Sequence, residues 1–125
     1  MDRVLLIAIA GALGTVSRYG MQSLANDIAG RPTFLGTLAV NLLGSLLIGL
    51  LVGWGETRIG VSSMWRTAGT VGFLGGFTTF STFMFENVQK LEDGNVALAI
   101  AYIASSIVLG LMLCYAGLVA GRAIA

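Results

Sequence analysis

The run Gly72-Phe73-Leu74-Gly75-Gly76-Phe77-Thr78-Thr79-Phe80-Ser81-Thr82-Phe83 lies inside an apolar block long enough to cross a bilayer, yet its composition is wrong for an ordinary spanning helix. Three glycines weaken helical order, and three threonines with a serine offer hydroxyls that can stand in for backbone partners. In hydrocarbon a backbone break is tolerated only where it is buried in protein or lines a watery path. Such a break presents N–H groups and carbonyls that can hold ions. The run therefore reads as an ion site built into a membrane helix.

The rest of the chain supports a membrane setting. Of its 125 residues 56% are hydrophobic and 10% charged, against about a quarter charged in soluble domains. Four apolar blocks, at 4–25, 34–55, 64–88 and 96–121, each reach the roughly 20 residues that a bilayer requires. Residues 1–125 thus read as a single all-α transmembrane domain of four helices, multi-pass in the lipid bilayer, with helix 3 broken at mid-membrane. The first block follows a single arginine, lacks a small-residue cleavage site and contains Arg18, so it reads as a retained helix and not a removable signal peptide. A net charge of +1 leaves no basic patch for a nucleic-acid partner. Histidine is absent, which removes the commonest general base and metal ligand. The lone Cys114 reads as a small packing residue.

Between the blocks, helix 1 is expected to end near the polar stretch Gln22 to Asp27, and Gly30-Arg31-Pro32 to form a turn ahead of helix 2. Trp54 and Trp65 bracket the second loop in the manner of an interfacial belt. The last loop is expected over Lys90 to Asn95. One side of the membrane then holds Arg3, Arg58, Arg66 and Arg122, and the other Arg31 and Lys90. Four against two is a weak positive-inside bias, and a chain of this kind is expected to insert either way round. Gly11, Gly14, Gly44, Gly49, Gly53, Gly117 and Gly121 permit close helix approach, with Gly117 and Gly121 in small-xxx-small register. Four short helices enclose little space, so an ion path is expected between subunits.

Several polar residues are candidates to line that path. Asn41 lies near the middle of helix 2 with Thr37 and Ser45 one turn to either side, a stripe that serves either as an interhelical hydrogen bond or as pore lining. Tyr102 and Ser106 are likewise four apart in helix 4. Arg18 either snorkels to the end of helix 1 or supplies a fixed positive charge that draws anions to a vestibule. Glu86, towards the end of helix 3, is expected to be a solvated carboxylate. Phe80 and Phe83 share a face after the break; a phenyl ring has a positive edge, so rings turned edge-on favour a small anion. The hydroxyls of Ser81 and Thr82 add hydrogen bonds. These residues make an anion path chemically possible without naming the ion.

The run 72–83 with Glu86 after it resembles the signature of the Fluc (CrcB) fluoride channels. So do Gly11-Ala12-Leu13-Gly14-Thr15-Val16-Ser17-Arg18-Tyr19 and Thr37-Leu38-Ala39-Val40-Asn41-Leu42-Leu43-Gly44-Ser45, and the resemblance covers essentially the whole chain. It implies a passive fluoride channel of the bacterial inner membrane that sheds cytoplasmic fluoride. It further implies an antiparallel, dual-topology homodimer with two pores at the interface and a central structural sodium ion. By motif position, Gly75 and Thr78 give backbone carbonyls to sodium, and Asn41, Phe80, Ser81, Thr82 and Phe83 line the fluoride pore. Tyr102 and Ser106 join them from helix 4, and Arg18 sits at the vestibule.

Two other classes fit less well. A small multidrug-type antiporter needs an ionisable carboxylate deep in a helix, and none of the six acids lies in the middle of a block. A membrane enzyme needs an acid–base pair or an activated nucleophile, and no such pair is present.

Overall fold

The computed structural model describes residues 2–58 and 60–124. They form an all-helical chain with no strand among the described residues. Helix α1 spans Arg3–Ala29, α2 Leu35–Thr57 and α3 Ser63–Thr67, which runs on into a π-helix at Ala68–Leu74 and then α4, Gly75–Phe77. After a break, α5 spans Ser81–Glu92, and α6 spans Val96–Ala123. Three of these, α1, α2 and α6, are long and apolar enough to cross a membrane. At 1.5 Å per residue they measure about 35–42 Å, which exceeds the hydrocarbon core and allows tilt.

The helix ends follow local chemistry. The carboxylate of Asp2 accepts the Val4 N–H at 3.4 Å and caps α1. Helix α1 then runs through the polar stretch Gln22 to Asp27, past the expected end at residue 25, and stops only at Gly30. Gly30 has φ 67°, a left-handed turn open to glycine, and its N–H closes on the carbonyls of Asn26 and Asp27. Polar residues at the end of a membrane helix reach the headgroups without leaving the helix. For the same reason α5 continues to Glu92, so Lys90 is helical and not part of a loop. Helix α6 extends two residues beyond the expected 121.

Helix α2 is the spine. It lies along α6 on one side, while α1 packs chiefly against the π-helix and α4. The α2–α6 seam is a reciprocal glycine contact. A methyl group at Gly49 or Gly53 would land on the carbonyls of Cys114 or Leu118, and one at Gly117 or Gly121 on those of Leu46 or Leu50. Small residues every four positions on both helices are what let two backbones touch. Cys114 is a free, half-buried thiol within this seam, as a packing residue would be.

Residues 68–77 pack with α1, but α5 packs with α6. The break between them is where the chain changes partners, passing α2 at Gly44, whose missing side chain is replaced by the Thr78 methyl.

Few apolar side chains are buried within the chain, Val40, Leu74 and Phe77 forming the central cluster. Leu5, Leu13 and Val16 of α1 and Val108, Leu111 and Met112 of α6 are all exposed. Helices apolar on every side belong in lipid or against another copy.

Candidate functional site

At Thr78–Phe80 the chain leaves the helix, Thr78 adopting extended φ −86°, ψ 159°. Gly75, at the start of the stretch where the sequence places the break, is instead helical at φ −63°, ψ −36°. The reason is packing: Gly72 and Gly76 serve close approach to α1, where added carbons would meet Ile7, Ala10 and Gly11. A helix whose glycines face a neighbour need not unwind at them. The interruption is made by the hydroxyl residues that follow.

Asn41 holds the break open. Its Nδ2 donates to the Thr79 carbonyl at 2.9 Å, and the Thr79 N–H donates to its Oδ1 at 2.8 Å. One amide side chain thereby satisfies both backbone polar groups of a residue that neither helix can pair. Thr78 donates both its N–H and its Oγ1 hydroxyl to the Leu74 carbonyl. The buried Thr79 hydroxyl accepts the Thr82 N–H at 3.3 Å, capping α5. Ser45 turns back to the Asn41 carbonyl. A cavity of about 300 Å³ opens beside the break, with Asn41, Ser45, Gly75, Thr78, Thr79 and Phe80 in its wall. Among the described residues, no hydrogen bond reaches the carbonyls of Gly75 or Thr78, both residues of this wall.

Towards one end of the molecule, α2, α5 and α6 meet at Glu86. Thr37 donates to its Oε1 and Tyr102 to its Oε2, each at 2.7 Å, and Gln22 donates to the Thr37 oxygen at 3.1 Å. Glu86 is therefore a half-buried bridge between three helices and not the solvated carboxylate expected from its place in the chain. Its two partners lie in other helices, so no spacing along helix 3 announces them. The signal that existed was the polar stripe Thr37–Asn41 opposite the lone acid of the block.

The aromatic residues form a series. Phe34 lies 4.7 Å from Tyr102, Tyr102 lies 4.9 Å and edge-on at 82° to Phe83, and Phe83 lies 6.2 Å from Phe80. Phe83 and Tyr102 are buried, whereas Phe80 is 73% exposed. Thus the structure joins Asn41, Phe80, Phe83, Thr82 and Tyr102 through this break and ring series. Ser81 is exposed, and Ser106 buries its hydroxyl with no partner among the described residues. Arg18 is half-buried on α1 and makes no hydrogen bond or ion pair with a described residue.

Residues 5–118 match the family described as CrcB-like protein, Camphor Resistance (CrcB). A protein named fluoride-specific ion channel FluC from Geotalea daltonii is 41% identical over 122 residues, 98% of both chains. Bearers of the same name from Citrifermentans bemidjiense and Geobacter sulfurreducens are 40% and 43% identical, over 99% and 98% of this chain and 100% and 98% of their own. With the family's extent matched nearly end to end and identity far above chance, this chain belongs to the CrcB family.

Proposed function

We propose that this protein is a passive, fluoride-selective channel of the bacterial inner membrane that exports fluoride from the cytoplasm. The observation that carries the reading is the broken helix at Thr78–Phe80, pinned by Asn41 beside a polar-walled cavity, in a chain whose relatives are named fluoride-specific ion channels. In this reading the third apolar block crosses the membrane as two half-helices, giving four crossings. Asn41 retains the second hydrogen of Nδ2 to offer an anion. The edges of Phe80 and Phe83 and the hydroxyls of Ser81, Thr82 and Ser106 replace water around the ion, while Tyr102, whose hydroxyl hydrogen is taken by Glu86, contributes its ring beside Phe83. Arg18 supplies positive potential at the vestibule.

The working unit is an antiparallel homodimer with two pores along its interface. The near balance of Lys and Arg between the two sides supports it, as do apolar or polar groups left exposed at mid-chain, Phe80 and Ser81 among them. Carbonyls of Gly75 and Thr78 from both copies would hold a structural sodium ion, whose charge would tie the two breaks together. Their lack of hydrogen-bond partners fits that role. Because the ligands would be backbone atoms, Thr78→Ser is expected to retain the ion, its only loss being the methyl packed at Gly44.

Liposomes loaded with fluoride and carrying only this protein test the reading. Fluoride is expected to leave once an ionophore dissipates charge, while chloride stays inside. Equal loss of chloride, or a strict need for a proton gradient, overturns it. Exchange of sodium for a large organic cation throughout purification is expected to abolish transport or dissociate the dimer. Labelling of a cysteine placed at the C-terminus from both sides of the membrane tests dual topology.

A further inference from the structure

A cavity of about 450 Å³ opens at the end of the molecule nearest Glu86, with Arg31, Phe34, Glu86, Lys90 and Asp93 in its wall. Lys90 is half-buried there in an unusual way. Its ammonium stands 4.2 Å from the centre of the Phe34 ring and 5.0 Å from that of Tyr102. Its polar contact is the Glu86 backbone carbonyl at 3.4 Å, and it forms no salt bridge among the described residues. The Glu86 carboxylate is taken up by the hydroxyls of Thr37 and Tyr102 instead. An ammonium held by a carboxylate is neutralised, whereas one held by ring faces is fixed in place with its charge intact.

The charge balance of this mouth depends on it. Arg31 and Lys90 face Glu86 and Asp93 across one cavity, two of each sign. Loss of Lys90 leaves the cavity net negative and repulsive to an anion. Moreover, the two rings that hold Lys90 are the outer members of the series Phe34, Tyr102, Phe83 and Phe80 that leads to the break. We infer that Lys90 is the anion-capture residue of this mouth, its ammonium held on Phe34 and Tyr102 so that it draws fluoride to the outer end of that ring series. The inference rests on the fluoride-channel reading and adds to it a residue that sets the rate of capture.

Fluoride efflux from liposomes carrying wild type, Lys90→Met or Lys90→Arg, at about 10 mM and about 500 mM ionic strength, tests it, since these settings lengthen and collapse the range of a single charge. Lys90→Met keeps the apolar stem. It is expected to be about 10-fold slower than wild type at low ionic strength and within about 2-fold at high. Lys90→Arg is expected to follow wild type at both. Wild-type flux in Lys90→Met at low ionic strength overturns the inference. A deficit of equal size at both ionic strengths also overturns it, because it assigns Lys90 to propping the two rings. A silent wild type overturns the channel reading itself, and the inference with it.

Discussion

The α2–α6 seam and the break at Thr78–Phe80 both bring backbone close to something other than its own helix, and they treat it oppositely. In the seam, Gly49 and Gly53 face Gly117 and Gly121, every peptide stays in its helix, and contact is backbone against backbone. At the break the helix is interrupted and a side chain from α2, Asn41, takes the place of the lost helical partners of Thr79. The glycine-rich contact therefore leaves no room for a side chain, and the hydroxyl-rich contact is the part with spare hydrogen-bonding capacity. In this chain glycine marks where helices touch, and threonine with asparagine marks where a helix opens.

The largest effect is expected in the seam. Gly53→Val puts branched carbon into the Leu118 carbonyl and is expected to cost more than about 3 kcal/mol, read as loss of a single oligomeric peak in detergent. Gly20→Ala, which meets nothing within 4 Å, is the control and leaves that peak unchanged. If Gly53→Val assembles normally, the seam is softer than the break and the comparison fails.

Next comes the break. Asn41→Leu keeps size but strands the N–H and carbonyl of Thr79, at about 2–4 kcal/mol for the pair. Thermal unfolding in detergent is expected to shift down and fluoride flux to vanish. Unchanged stability would show that Thr79 finds other partners.

A smaller effect separates the two phenylalanines. Phe83→Ile removes a buried edge-on contact with Tyr102, about 1 kcal/mol of stability beyond its apolar area, as well as flux. Phe80→Ile, at an exposed ring, is expected to lower flux with little change in the unfolding temperature. Parallel losses in both measurements at both positions would make the rings packing elements alike.

The smallest effect is Gly75→Ala. With φ −63° and only the Thr70 carbonyl at 3.8 Å from an added carbon, the substitution is expected to change stability by no more than about 0.5 kcal/mol. A positive-φ requirement at this position, which would forbid a β-carbon, is ruled out by the same angle. A large loss on Gly75→Ala would then have to come from the facing copy or the ion between copies.

Much of this was legible from residues alone. Apolar blocks of membrane length, the small-xxx-small pair Gly117 and Gly121, and the anomaly of residues 72–83 are patterns within one helix, and a helix's periodicity is written in consecutive residues. Even Asn41 stood out, because an amide in an apolar block must find a partner. Its sequence left open whether that partner was protein or pore. The geometry gives it the Thr79 peptide, together with a place in the cavity wall.

Tertiary structure alone decided the rest. The break, expected over Gly75 to Thr78, begins only at Thr78, because packing against α1 keeps the glycine stretch helical. Glu86 changed from a solvated acid to a three-helix bridge, and Lys90 from a loop residue to an ammonium on two rings. These residues meet partners 12 to 56 positions away, Thr37, Tyr102 and Phe34 among them. A sequence dictates which groups in a membrane must be satisfied, because lipid offers them nothing. Which group satisfies which depends on how helices pack side by side, and that is a property of the assembled fold.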